Sequence, residues 1–505
     1  MKRTTLSLIA VATALAAVTG FAALTAPDGS AAPEAKAPTT LPVERSSLLC
    51  PAPSSSEVAE TDYVSYTPAA GSSATGSAAP AAKAELKAAA SAATPGGTTA
   101  KKPGAAKAPA TVSQPGKPVA AEANGPTAPA LTGAATGGLA PGWTVQQTTV
   151  VTAGGARGLL GVACGAPDTD FWFPAASTAK ERQDYVHLTN PDDSAAVADI
   201  QLYGPEGELK SQLTEGIPVP AHSSVPVLLS TLTGQAPTAD LTVHVTTRSG
   251  RVGAVVGAAD DKLGSDWLPA SADPAGTAVL PGIPADATSV RLVAYAPGEN
   301  DAELKIQLVG ETGTIVPASA QSLHVKSGMT ASVDLPDLTR GETGSLLLTP
   351  SDPKKSTPFV AALRVTRGKG DKQEVAFIPA TAAIGARATV ADNRAAGSTL
   401  SLAAPGEAAQ VKITASAGTG GGTPVSKTVT VKAGTTAKVT DLVPAGLKGS
   451  YALTVERVSG GPVHASRLLA VPEDGIPMFT VQSLVDDRGT VEVPTAKQDL
   501  GVLDD

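Results

Sequence analysis

Few residues in this chain have the type and spacing for chemistry. The two cysteines, Cys50 and Cys164, are too few for a metal centre, and no histidine pair at finger-like spacing supports them. Two thiols in an oxidising compartment pair, so a Cys50–Cys164 disulfide is expected. The five histidines, His187, His222, His244, His324 and His464, are dispersed and form no His-x-x-x-His couple. Neither a Gly-x-Ser-x-Gly nucleophile turn nor a phosphate-cradling loop is present, and Gly418 to Gly422 (GTGGG) reads as a hairpin loop. Paired carboxylates occur at Asp168/Asp170, Asp192/Asp193, Asp260/Asp261 and Asp486/Asp487. Turns between strands favour Asp, and that is the reading adopted. Among them Asp168, Asp170, Asp260 and Asp261 are the candidates for a calcium-like cation at domain junctions. Trp172 and Trp267 are the candidates for stacking on a sugar, against a structural role as apolar plugs. No catalytic residue and no cofactor is expected.

The elements that must position these residues are strands. Three segments end in a residue plus proline at Pro191, Pro297 and Pro405, spaced 106 and 108 residues apart, and SSLLCP ending at Pro51 reads as a fourth copy. Proline has no amide donor, so it ends a ladder and opens a turn. After Pro191 the chain alternates apolar and polar residues through AVADIQLY (Ala196 to Tyr203), then turns at Gly204-Pro205-Glu206-Gly207. Period-two alternation with closely spaced turns predicts antiparallel sandwiches. An aromatic-Pro-Ala corner, Phe171-Trp172-Phe173-Pro174-Ala175, recurs around Trp267 and Phe377 and reads as the close of each unit.

The fold class is therefore all-β: tandem Ig-like antiparallel β-sandwich units, with an N-terminal signal or anchor and a disordered Ala/Pro/Lys-rich insertion. The expected organisation is 1–27 signal peptide or signal-anchor, 28–40 spacer, 41–175 first unit, 176–270 second, 271–380 third, and 381–505 fourth with a C-terminal tail. The insertion, at about 67–141, has too little apolar side-chain surface to offset the entropy of ordering it. With the insertion removed, Cys50 and Cys164 fall on the first and last strands of one unit, and a disulfide would clip its ends together. Lys2-Arg3 before the uncharged run Thr4 to Pro27 is an export signal, either cleaved or retained as a membrane anchor.

Composition sets the class of partner. Aromatics are 3% of the 505 residues, against 51 Gly and 42 Pro, which favours short strands and turns over a helical enzyme. A net charge of −8 argues against nucleic acid, whose phosphates need a basic surface. The segments YVHLTNPDDSAAVADIQLYGPEGE, VPAHSSVPVLL and GRVGAVVGA resemble those of DUF5719, an actinobacterial family of uncharacterised secreted or membrane-anchored proteins. The resemblance covers the chain from Leu41 onward, less the insertion. It implies an envelope setting and supplies no activity or functional residues. The expected function is a non-enzymatic extracytoplasmic envelope protein, secreted or anchored to the outer face of the cytoplasmic membrane. It would serve as a scaffold or binding module for an envelope protein or cell-wall polymer. The alternative is a carbohydrate-binding or carbohydrate-active accessory acting on wall glycan.

Overall fold

The computed structural model describes residues 39–69, 82–92, 110–213 and 215–494. The signal segment and spacer lie outside that range, as do 70–81 and 93–109 of the insertion. Two compact units are present. In the smaller, Thr39–Pro42 pairs antiparallel with Thr490–Val493. The larger, Val43–Gly489, holds four sandwiches spanning 45–163, 170–268, 278–379 and 387–484.

The alternating sequence builds each strand. Ala196–Gly204 buries every second residue, and Ala198, Ile200 and Leu202 join one core. That core draws on both sheets of its sandwich, Phe173, Val243 and Val245 facing Val186, Val227 and Val256. Eight main strands recur in each sandwich. In the second they are Asp170–Ala176, Arg182–Thr189, Ala196–Gly204, Gly207–Leu209, Ser223–Leu228, Leu241–Ser249, Gly253–Asp260 and Gly264–Leu268. One sheet has spatial order 1-6-3-4 and the other 8-7-2-5, and the same two orders hold in all four. The first strand bulges at the same place in three sandwiches, between Pro174 and Ala176, Pro281 and Ile283, and Val390 and Asn393. Each bulge contains a residue with positive φ: Ala175, Gly282 and Asp392.

Two expectations need correction. Much of the segment read as a disordered insertion is folded: Ala84–Ala88, Thr111–Val112, Val119–Asn124 and Leu131–Thr136 are the third to sixth strands of the first sandwich. Small residues suffice there because Trp143 supplies the bulk. A Cβ on Gly133 would sit 2.5 Å from the Trp143 ring, which also packs in a core with Leu86, Val112 and Leu131. The phase of the repeat also differs from the one expected. Phe171-Trp172-Phe173-Pro174-Ala175 lies in Asp170–Ala176, the first strand of the second sandwich, whereas Trp267 and Phe377 lie on eighth strands. Likewise Cys50-Pro51 closes a first strand, while the true counterpart of the strands ending before Pro191, Pro297 and Pro405 is Ala59–Tyr66, which runs to Pro68.

The four sandwiches contact one another in a cycle. The first strand of each packs on the seventh strand of the next, and in three of the four junctions on the second strand as well; the fourth sandwich returns in this way to the first. Their eighth strands, Gly158–Ala163, Gly264–Leu268, Lys372–Pro379 and Phe479–Leu484, also touch in order and close the same circuit. Each is an edge strand of its sheet. The ring thus covers four edges that would otherwise offer unpaired backbone groups. Another edge is covered locally, where Ala90–Ser91 of the first sandwich pairs parallel with Ser223–Ser224 of the second.

Candidate functional site: a buried polar hub and a junction cleft

The disulfide forms between Cys50 and Cys164, with Cα atoms 4.5 Å apart across 114 residues of sequence. Cys50 ends the first strand of its sandwich and Cys164 follows the eighth, and Leu49 and Gly165 exchange backbone hydrogen bonds of 2.8 and 3.1 Å beside them.

The candidate aspartates are kept apart. Asp168 bridges Val252 at one end of the seventh strand Gly253–Asp260, and Asp260 and Asp261 lie at the other end. Eight residues of strand separate them, about 26 Å. Asp170 accepts from His244 Nε2 at 3.2 Å, and Asp260 Oδ1 takes the amides of Lys262 and Leu263, both at 2.9 Å, in a hairpin turn. Among the described residues, no three His, Cys, Asp or Glu side chains converge as metal ligands would. The tryptophans are buried, Trp172 at 7% exposure and Trp267 at 3%, so neither ring offers a face to a sugar. Trp172 stacks on His244 at 3.5 Å between centroids and on Tyr295 at 5.5 Å, filling the second junction. Trp267 meets the edge of His187 at 5.1 Å.

Sequence reasoning missed the polar groups at the centre of the ring. The outward amides of edge strand Gly158–Ala163 have no ninth strand to pair with, and two carboxylates from other sandwiches take them. Leu159 N donates to Glu374 Oε1 at 3.1 Å, and Gly161 N donates to Asp266 Oδ1 at 3.0 Å. Arg157 Nη1 donates to Glu374 Oε2 at 3.0 Å, and Thr480 Oγ1 donates to Asp266 Oδ1 at 3.2 Å. One carboxylate comes from the third sandwich, the other from the second, and Thr480 from the fourth, so all four meet here. Burial pushes the Glu374 carboxyl up to about 8 against the pull of Arg157 and the Leu159 amide. Burial likewise raises Asp266 well above the usual carboxylate range. Arg467, fully buried beside Gln482 in the ladder, is lowered to about 10 by desolvation. Raised carboxyl pKa values suit general acids, but here both groups are sealed from solvent and engaged by backbone amides. The signal in sequence was an acid inside an otherwise apolar strand, as in QEVAFIP and SDWLP.

A cleft of about 150 Å³ lies at the first junction. Leu49 and Val162 line it from the first sandwich, and Phe171, His187, Thr189 and Gly253 from the second. His187 Nδ1 is buried without a protein partner among the described residues, and desolvation holds the imidazole down at about 4.

The model of a family of unknown function, DUF5719, matches residues 119–441. The chain belongs to this family. The DUF5719 match begins at the fifth strand of the first sandwich and ends just past the fifth strand of the fourth, so it covers three repeat lengths cut between strands. It starts inside the segment expected to be an insertion, in keeping with the strands found there. Asp266, Glu374, Trp172 and Cys164 fall within the DUF5719 match, whereas Cys50, Thr480 and Gln482 fall outside it. No curated protein matches the chain.

Proposed function

We propose that the protein is a non-enzymatic scaffold or binding module of the cell envelope, acting outside the cytoplasmic membrane. The observation that carries this reading is the use made of the polar groups. Asp266, Glu374 and Arg157 join one sandwich to another, and Arg182 and Asp184 form a buried pair that orders the turn at Ser177. What results is a rigid frame rather than a reaction centre. The Cys50–Cys164 disulfide is compatible with an oxidising compartment. Among the described residues no helix is long and apolar enough to cross a membrane, so anchoring would fall to the N-terminal apolar run. The rival reading, a carbohydrate-binding or carbohydrate-active protein, loses its residues because both candidate tryptophans are buried.

Cell fractionation with thiol labelling tests the proposal. Recovery in the envelope or medium with both cysteines oxidised supports it. Recovery in the cytoplasm with free thiols contradicts it. A pull-down from envelope membranes with the full chain would then name the partner.

A further inference from the structure

Three of the four junctions of the ring are crossed by the peptide chain, through Cys164 to Thr169, Pro269 to Thr277 and Ala380 to Ala386. The junction between the fourth sandwich and the first has no such link, and it buries polar atoms without partners. Thr148 stands directly opposite Asp62 and Gly161 in its sheet, so its side chain shares their face, as does that of Gln146 two residues away. The fourth sandwich covers this face: Arg394 reaches Asp62, and Gln482 lies against Gly161. Thr148 Oγ1, Gln146 Oε1 and Gln482 Oε1 are all buried there with no hydrogen-bond partner among the described residues. Such burial costs free energy, so this junction gains less from closing than an apolar one of the same size would.

A short segment holds it. Val485 to Gly489 follow the eighth strand Phe479–Leu484 and pair in no sheet. Asp486 Oδ2 accepts from Ala386 N at 2.9 Å, Asp487 N donates to Arg387 O at 2.9 Å, and Arg387 Nε donates to Asp487 Oδ2, which ties the segment to the start of the fourth sandwich. On the other side Gly489 O accepts from Val43 N at 3.0 Å, and Val43 packs on the core of the first sandwich. Arg387 Nη2 also donates to Pro141 O at 3.4 Å, and a Cβ on Gly142 would stand 2.9 Å from Asp487 Cγ. We propose that Asp486 to Gly489 is a latch on the closing junction: seated, it keeps the ring shut, and lifted, it lets the first and fourth sandwiches part while the three linked junctions hold. Because the segment belongs to no ladder, it lifts without unpairing a strand of any sandwich, at less cost than unfolding one. Parting uncovers the face of the first sandwich that carries Val64, Tyr66, Gln146 and Thr148. The inference stands on the closed ring and not on the envelope reading, so recovery of the protein from the cytoplasm would leave it untouched.

Thiol labelling of the full chain without reductant tests the latch, since both native cysteines are in the disulfide and no other thiol reacts. Thr148→Cys places a probe in the closing junction, and Val360→Cys places one in the second, where Val360 packs on Trp172 and Tyr295. With the latch intact both thiols should react slowly. Adding Asp487→Ala should speed labelling of the Thr148→Cys thiol by about tenfold or more, as loss of one partner of a mostly buried pair requires, and leave the Val360→Cys rate unchanged. Should that variant not fold, Arg387→Gln removes the pair from the other side. Equal acceleration at the two probes would reduce the effect to general destabilisation and overturn the proposal. So would an unchanged rate at Thr148→Cys in a folded latch variant, or fast labelling there with the latch intact.

Discussion

Glu374 stands where the carbonyl of a neighbouring strand would otherwise receive Leu159 N. A buried carboxyl raised from 4.5 to about 8 ties folding to pH. The folded chain holds a proton there that the unfolded chain releases, so the stability linked to it is full below about 4.5. It is lost as pH rises towards about 8. Glu374→Gln keeps one acceptor for the amide and removes the titration. Its melting temperature should therefore fall less than that of the native chain between pH 5 and 9; parallel curves would remove Glu374 from this role. Trp172 gives a second prediction at this scale. As the plug of the second junction, its replacement by Ala should cost about 3–5 kcal/mol in denaturant unfolding. A loss near zero would mean that the ring is not packed as described. Trp172 and the cysteines were legible in sequence because each is rare here. Asp266 and Glu374 were legible only in part: an acid inside an apolar strand marks a buried carboxylate, but nothing local names the amide of another sandwich that it caps.

The edge strand Gly158–Ala163 shows what a single element needs in order to be buried. It lies so close to the fourth sandwich that a Cβ on Gly161 would come within 1.8 Å of Gln482 Nε2 and 2.5 Å of Thr480. Gly161→Ala should then cost about 1–3 kcal/mol through overpacking, whereas Ala on the open Gly154 to Gly155 turn side, at Gly155, should cost little. Equal effects from the two would show that the strand is not clamped. The other end of the element is held by the disulfide. Closing a loop of 114 residues, the Cys50–Cys164 bond should contribute about 2–4 kcal/mol, read as a lower denaturant midpoint for the double Ser variant. Strand alternation made most elements visible in the sequence. The strands from 84 to 136 were hidden because Ala is their commonest residue and their bulk, Trp143, comes from beyond the segment. YVSYTP, ending at Pro68, carries the aromatic and Thr pattern of YVHLTNP, whereas SSLLCP carries neither.

For the larger unit as a whole, the repeat was readable and the closure was not. Intervals of 106 and 108 residues reveal copies, but a cycle depends on contacts between the first sandwich and the fourth that leave no local pattern. There, Val64 and Tyr66 pack with Ala391 and Ala452, and Arg394 Nη2 donates to Asp62 Oδ2 at 3.0 Å. The pair spans 332 residues of sequence. The most direct measurement places cysteines at both positions, Asp62→Cys with Arg394→Cys, and treats the monomeric full chain with a short bismaleimide. A closed ring predicts rapid intramolecular cross-linking, seen as a peptide joining the two sites by mass spectrometry and absent from either single variant. An open string of sandwiches would hold the two cysteines apart, and the absence of that cross-link in the folded monomer would contradict the ring.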